Sequence, residues 1–185
     1  MKRPLIALAG FATCLFLAST AFADDNTPKK WTVGTELDVV PYVFNGYYVS
    51  AVAGYGKWRT RFVRTAITTP GFETPSGFDA NRLHVYAYIV DYYFRKGFKG
   101  WWVGPGFETW HGEVQQRGGA AKRTYQTDIL TLGAGYTFRF NDHVYVNPWA
   151  ALHIPVGGDR DVEFPGDTFK IGTRPEASVK IGLNF

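Results

Sequence analysis

The last ten residues of the chain alternate between apolar and polar side chains. Ala177, Val179, Ile181, Leu183 and Phe185 fall on one set of alternate positions. The positions between them carry polar residues or glycine: Glu176, Ser178, Lys180, Gly182 and Asn184. Successive side chains of a β-strand point to opposite faces, so this segment predicts a strand with one apolar and one polar face.

The first residues indicate export from the cytoplasm. Lys2 and Arg3 precede an apolar run from Leu5 to Leu17, and the small-residue motif Ala21-Phe22-Ala23 follows. This arrangement predicts a signal peptide over residues 1–23, which is removed after Ala23. A polar periplasmic tether over residues 24–30 and a single β domain over residues 31–185 then follow.

The mature chain has little net charge and no thiol. The only cysteine, Cys14, lies in the signal peptide, so no disulfide is expected. Without Lys2 and Arg3, 18 of the 20 basic residues remain against 16 acidic residues, a net charge of +2. The basic residues are not clustered as they are on a nucleic-acid surface, so no nucleic-acid partner is expected.

The mature chain contains no apolar run as long as a membrane-spanning helix. In the full sequence, 17% of the residues are aromatic and 21 are glycines. A chain of this kind enters lipid only as a closed barrel, since closure satisfies every backbone polar group. We therefore predict an all-β fold, a transmembrane antiparallel up-and-down β-barrel. Its eight expected strands are 31–42, 46–54, 57–67, 83–95, 101–116, 125–140, 144–156 and 176–185. An even count puts both chain ends on the periplasmic side.

The first strand, residues 31–42, is the least constrained element. Pro41 weakens its end, and a short amphipathic helix is a competing interpretation. A barrel of ten strands is an alternative to one of eight. Two long loops are expected at 68–82 and 157–175, where Pro and Gly are frequent. The second loop carries acids that we expect to be solvated and to bridge divalent cations to lipopolysaccharide: Asp159, Asp161, Glu163 and Asp167.

The alternation also separates lipid-facing from lumen-facing side chains. An aromatic girdle is expected on the outside from Tyr92, Phe94, Tyr136, Phe138 and Phe140. The inward set includes Glu36 and Asp38 on the first strand. It also carries a cluster of both charge signs: Arg59, Arg61, Asp91, Glu108 and Lys180. An eight-stranded lumen is just wide enough for side chains to fill, so this cluster predicts a plug of paired charges rather than a pore. A narrow small-solute pore is the alternative.

Counting residues outward from the short turns predicts which residues face each other across neighbouring strands. Gly135 is expected opposite Trp149, Gly106 opposite Gly135, and Arg59 near Asp91. A large indole would then lie over glycines.

Three segments resemble small eight-stranded outer-membrane proteins of the A, X and W types: the signal peptide, the stretch T-L-G-A-G-Y-T-F-R-F at 131–140 and the ending S-V-K-I-G-L-N-F. The resemblance implies the outer membrane of a Gram-negative bacterium and contact with its lipid and lipopolysaccharide. It also implies recognition of Phe185 by the barrel assembly machinery. We expect a structural or surface-interaction role, with no cofactor and no metal. No motif identifies an extracellular partner.

An enzyme that modifies lipid A or phospholipid is the alternative function. Such chemistry needs a serine within hydrogen-bond reach of a histidine that a carboxylate orients. Ser178 and Glu176 on the closing strand share the inward face with His153 on the neighbouring strand. The candidate roles are Ser178 as nucleophile, His153 as base and Glu176 as the orienting group.

Overall fold

A computed structural model describes residues 31–71, 74–119 and 121–185 of the chain. The predicted signal peptide and tether lie outside these residues. In chain order the elements are β1 (Trp31–Asp38), α1 (Val39–Val43), β2 (Tyr47–Tyr55), β3 (Trp58–Thr68), β4 (Phe78–Tyr93), β5 (Gly100–Gln116), β6 (Lys122–Arg139), β7 (Val144–Gly158), β8 (Asp161–Phe164), β9 (Asp167–Lys170) and β10 (Arg174–Asn184).

Eight of the strands close into one barrel in the order β1-β10-β7-β6-β5-β4-β3-β2, and every pairing is antiparallel. The closing contact joins the first and last strands, from Gly34 opposite Asn184 to Asp38 opposite Lys180. The predicted all-β fold and the eight-stranded up-and-down topology are confirmed. In the part of the chain that the structure describes, no helix is long and apolar enough to span a membrane.

The barrel wall follows the predicted alternation. Outward-pointing side chains are apolar and exposed along β10, where Val179, Ile181 and Leu183 are between 41% and 48% exposed. Aromatic rings of the girdle contact one another at one rim, as in the pairs Tyr92–Phe94 and Tyr136–Phe138. The inward-pointing residues of the same strands are buried and include the charged side chains.

The prediction of one strand over residues 31–42 was wrong in its second part. β1 ends at Asp38, and α1 follows. Pro41 has no N–H to donate to a strand ladder, while the Asp38 carboxylate accepts a hydrogen bond from Val40 N at 3.2 Å and caps the helix. Both earlier interpretations, strand and helix, therefore describe part of this segment.

The early end of β1 leaves a gap in the barrel wall. β10 continues for six residues beyond Lys180, from Val179 back to Arg174, and pairs there only with β7 in the described ladders. On the other side of the gap, β2 pairs with β1 only as far as Ser50, although it begins at Tyr47. α1 packs against β10, β2 and β3 and so covers this gap.

Two further expectations need correction. β4 begins at Phe78, inside the loop expected at 68–82, and contains an irregular register between Phe78 and Asn81. The loop expected at 157–175 contains the hairpin β8–β9, in which Val162 pairs with Phe169. Both segments are ordered by apolar burial, because the hairpin side chains pack on Phe78 inside the outer mouth of the barrel.

One predicted pairing was also wrong. Gly106 lies opposite Thr131, four residues from the expected Gly135. The expectation assumed that Gln116 pairs with Tyr125, but β6 begins earlier and the ladder continues to Gln115 opposite Lys122. The other two pairings are confirmed: Gly135 lies opposite Trp149, and Arg59 lies opposite Asp91.

Replacing Phe164→Ala is expected to loosen the hairpin, because its ring packs edge-on against Phe78 at a centroid distance of 5.3 Å. Loss of a buried phenylalanine costs about 3–5 kcal/mol. We expect trypsin to cut at Arg160 or Lys170 at least tenfold faster, while the barrel keeps its heat-modifiable migration on a gel. Glu163→Ala, an exposed position on the same strand, is the control. Equal cleavage rates in the two variants would contradict the packed hairpin.

Candidate functional site

The lower half of the barrel interior contains two arginines and two carboxylates that form a closed ring of ion pairs. Arg59 bonds Glu36 and Asp91 at 2.9 Å each, and Arg61 bonds the same two carboxylates at 3.3 and 2.9 Å. All four side chains are at most 2% exposed. We call Glu36, Arg59, Arg61 and Asp91 the charge cluster. Its formal charge is zero, which is the condition under which buried ions are tolerated.

Aromatic and amide side chains add further contacts to the charge cluster. Tyr145 donates its hydroxyl hydrogen to Glu36 at 2.9 Å, and Asn147 donates to the same oxygen at 3.4 Å. The Arg59 guanidinium lies 5.0 Å from the centre of the Tyr93 ring, and the Arg61 guanidinium lies 5.1 Å from that of Trp102. Cations over aromatic faces are stabilised further when they are desolvated.

An aromatic layer closes the barrel below the charge cluster. Tyr93, Phe98 and Trp102 form a buried group, and Trp102 is only 1% exposed. Glycines make room for it: a Cβ atom on Gly54 would lie 2.4 Å from the Phe98 ring, and one on Gly135 would lie 2.7 Å from the Trp102 ring. The predicted indole over glycine is therefore present, but its source is Trp102 and not Trp149.

Lys180 belongs to a second group, centred on Asp38. Its ammonium lies 3.5 Å from the Asp38 carboxylate and 3.2 Å from the centre of the Trp149 ring. Asp38 also accepts from Trp149 Nε1 at 2.9 Å and from the Ser178 hydroxyl. Asp38 Oδ2 thus ties β1 to Trp149 on β7 and Lys180 on β10, while Oδ1 accepts from Ser178 and also caps α1.

Glu108 belongs to a third group, higher in the barrel. Its carboxylate accepts from Trp110 and Thr131 at 2.7 Å each and lies 3.5 Å from His153 Nδ1. On its other side, His153 Nε2 lies 2.9 Å from Glu176. The five residues predicted as one charge cluster are therefore split: Arg59, Arg61 and Asp91 come together, whereas Glu108 and Lys180 lie in separate groups.

The structure brings together only part of the candidate catalytic constellation. His153 contacts Glu176, as that hypothesis requires. Ser178, however, lies opposite Trp149, four residues along β10 from the position opposite His153. Four strand residues span about 13 Å. Within the described residues, Ser178 is a donor to Asp38, and no nucleophile–base pair with His153 is assembled.

The loop acids likewise do not converge. Asp161, Glu163 and Asp167 are exposed on the hairpin, while Asp159 accepts from the backbone of Gln126 at 2.9 Å. Among the residues that the structure describes, no group of three or more His, Cys, Asp and Glu side chains has the arrangement of a metal site.

Sequence reasoning placed Glu36 and Asp38 on the inward face but did not identify them as the centres of two groups. β1 lies one strand away from β3, on the far side of β2, but only its pairing with β10 brings it within one strand of β7. Glu36 then meets Tyr145, 109 positions away in the sequence. The available signal was the spacing of Glu36 and Asp38, two acids at alternate positions on one short strand. Arg59 and Arg61 have the same alternate spacing on β3.

A cavity of about 200 Å³ lies above the charge cluster. Its wall on β3 and β4 is apolar and includes Val63, Ile67, Leu83 and Val85. Its opposite wall carries His153 and the groups around it. The packed hairpin β8–β9 closes the mouth beyond the cavity. From the short turns to the outer mouth, the interior therefore contains the neutral charge cluster, a partly apolar cavity and the apolar contacts of the hairpin.

These features define a closed eight-stranded up-and-down β-barrel, and the expected architecture of small bacterial outer-membrane barrels is confirmed. The chain is similar in fold to the N-terminal β-barrel domain of Pseudomonas aeruginosa OprF, with a TM-score of 0.51, 12% identity and coverage of 85% of this chain and 100% of that one. Neisserial surface protein A (NspA) aligns with a TM-score of 0.47, 12% identity and coverage of 85% and 97%. No protein-family model matches the sequence, and no curated protein matches it significantly.

Replacing Asp91→Asn is expected to lower the free energy of unfolding by about 3–5 kcal/mol, because it leaves two buried guanidinium groups with one carboxylate. Urea unfolding of the barrel in lipid vesicles measures this change. Asp142→Asn at a 95% exposed carboxylate is the matched control, with an expected change below about 0.5 kcal/mol. A change in Asp91→Asn as small as that of the control would show that the ion pairs do not hold the barrel interior together.

Proposed function

We propose that the protein is an integral outer-membrane β-barrel with a plugged lumen and a structural or surface-interaction role. The apolar, exposed outer faces of the strands support insertion in lipid, because a soluble protein rarely exposes apolar area of this extent. The aromatic girdle at the rim of the short turns supports the same location. The membrane in question is that of a Gram-negative bacterium, reached after removal of the signal peptide.

The observation that carries the plugged lumen is the complete burial of the charge cluster. Its four side chains bridge β1, β3 and β4 across the lumen, and the surrounding rings and amide fill the remaining width. An eight-stranded barrel leaves no more room than such side chains occupy. The packed hairpin at the opposite end supports a second closure.

The buried charges need no transport role. Their ion pairs cancel within the charge cluster, and breaking one leaves an uncompensated ion in a space without bulk water. The contacts made by Glu108 and Lys180 are equally local. A structural role for the lumen residues is therefore sufficient, and the lipid-modifying alternative has lost the serine on which it depended.

The outer end is the proposed place for surface interactions. Loops carry such functions because they vary without disturbing the barrel that holds them. Here the exposed acids Asp161, Glu163 and Asp167 lie on the rigid hairpin. Divalent cations that bridge these carboxylates to lipopolysaccharide phosphates remain our proposal for this end.

The purified wild-type barrel is expected to show no steady conductance in planar lipid bilayers. Trp102→Ala removes a 1% exposed indole but is also expected to show no conductance, because the charge cluster and the packed hairpin remain in place. Trp101→Ala, the adjacent residue on the outward face, is the matched comparison and is expected to behave in the same way. Steady conductance of the wild type would contradict the plugged lumen.

Phe185 is expected to be read by the barrel assembly machinery. Its side chain is 75% exposed, so it contributes little to barrel packing, while its backbone N–H donates to Val33 at 2.8 Å. Phe185→Ala is expected to reduce the heat-modifiable protein in the outer-membrane fraction severalfold. Phe140→Ala, at a 70% exposed ring near the same rim, is the control. Equal assembly of both variants would remove this partner from the proposal.

A further inference from the structure

The cavity above the charge cluster has buried donors that no protein acceptor uses. The Tyr48 hydroxyl and the Arg61 Nε atom are both buried, and neither has a hydrogen-bond partner in the described part of the chain. Both residues line the cavity. A buried donor without an acceptor costs free energy, so these two atoms favour an acceptor that enters the cavity.

The remainder of the cavity suits an apolar group. Val63, Ile67, Leu83 and Val85 present hydrocarbon along one wall, and Trp102, Trp110 and Trp149 present rings on the others. A cavity of about 150 Å³ with an apolar lining binds benzene. At about 200 Å³, this one has room for a ring or a short chain segment with a small polar group.

The balance of charge around the cavity disfavours an ion. Arg61 is already neutralised within the charge cluster. The other charged lining residues are the acids Asp38, Glu108 and Glu176 and the bases Arg174 and Lys180, together with His153, which lies between Glu108 and Glu176. The basic groups do not outnumber the acids, so an added anion has no surplus cation to pair with, whereas an uncharged acceptor leaves the balance unchanged.

The gap in the barrel wall gives the cavity a route to lipid. Val40 and Pro41 of α1 line the cavity, and so do Pro175 and Ala177, which lie on the exposed side of β10. The cavity thus reaches the outer surface between α1 and β10, where the β1–β10 ladder has ended. The hairpin covers the mouth of the barrel, so the gap beside α1 is the route that remains.

We propose that this cavity binds a lipid-soluble molecule that joins an apolar ring or chain segment to one uncharged hydrogen-bond acceptor, such as an ester, amide or ketone carbonyl. The acceptor oxygen takes hydrogen bonds from Tyr48 Oη and Arg61 Nε, and the apolar part lies on the wall of β3 and β4. The molecule enters from the bilayer beside α1. This binding role is separate from the plugged lumen, because the charge cluster below the cavity stays closed throughout.

The first experiment compares three matched fluorinated probes by fluorine NMR with the full barrel in lipid nanodiscs. The probes are 4-fluoroacetophenone, which has a neutral acceptor, 1-ethyl-4-fluorobenzene, which has none, and 4-fluorobenzoate, which is anionic. We expect saturable binding that is tightest for the ketone. Tightest binding of the benzoate, or equal binding of the ketone and the ethyl compound, would overturn the proposed ligand chemistry.

Two kinds of variant distinguish probe binding in the cavity from probe partition into the surrounding lipid. Ala87→Phe fills the cavity and is expected to abolish saturable binding, whereas Ala51→Phe, an exposed alanine on the outer face of β2, is expected to keep it. Ala151→Phe is a second filling variant if the first does not fold. Binding that survives both fillings would mean that the probe sits only in the bilayer, and the proposal would fail.

Tyr48→Phe tests the donor directly. It is expected to weaken ketone binding by about tenfold, the size of one hydrogen bond, and to leave binding of the ethyl compound unchanged. The empty barrel is expected to lose little stability, since that hydroxyl makes no hydrogen bond to any residue that the structure describes. Unchanged ketone affinity would overturn the role of Tyr48.

The route is tested at α1. The Tyr42 hydroxyl donates to the backbone of Tyr48 at 2.8 Å and fastens α1 over the gap. Tyr42→Phe is expected to speed exchange of the bound ketone severalfold with little change in affinity. An unchanged exchange rate would place the entrance elsewhere. None of these variants is expected to conduct ions in planar bilayers. Loss of ligand binding would therefore contradict the binding proposal alone, whereas conductance would contradict the plugged lumen.

Discussion

The fold depends on β1, because this short strand both closes the barrel and neutralises its interior. Its backbone pairs with β2 on one side and with β10 on the other, which leaves no free ladder along the lower half of the wall. Its inward side chains are Glu36 and Asp38. Glu36 joins the two arginines of β3, and Asp38 joins Lys180, Trp149 and α1. The same short strand therefore takes part both in barrel closure and in the neutralisation of the buried cations.

The same strand explains why the upper half of the barrel differs from the lower half. Pro41 ends the pairing of β1, and the chain turns into α1 instead of extending the wall. The lower half is then a complete ring of strands around the neutral charge cluster. The upper half has a helix in place of one strand and a cavity behind it, with two donors unused. The cavity therefore lies where the helix replaces part of the strand wall.

The two ends of the barrel are closed by different interactions. At the rim of the short turns, a layer of aromatic rings packs against glycine positions that no larger residue tolerates. At the outer mouth, the hairpin β8–β9 turns back and buries Val162, Phe164 and Phe169 against β4 and β6. Ionic contacts therefore lie in the middle of the barrel and apolar contacts at both ends. The ion pairs are buried, which makes them costly to break.

The sequence by itself determined the architecture and the two faces of the wall. The alternation with a period of two residues is a local property, and it placed Glu36, Arg59, Asp91 and Lys180 inside and the girdle outside without any tertiary information. The short turns also predicted the register of Arg59 with Asp91 and of Gly135 with Trp149 correctly. The register of Gly106 was wrong, because the length of the β5–β6 ladder depends on how far the strands extend beyond the membrane.

Only the tertiary structure decided which inward residues meet. Membership of the charge cluster depends on the height of each side chain and on the closure of β1 against β10, and neither is encoded by alternation. For the same reason the candidate of Ser178, His153 and Glu176 looked compact in sequence but is spread over four strand positions along β10. The hairpin in the last loop and the side gap at α1 were likewise decided by burial against distant strands, since short segments gain most of their stability from surfaces that the chain brings to them only when the barrel closes.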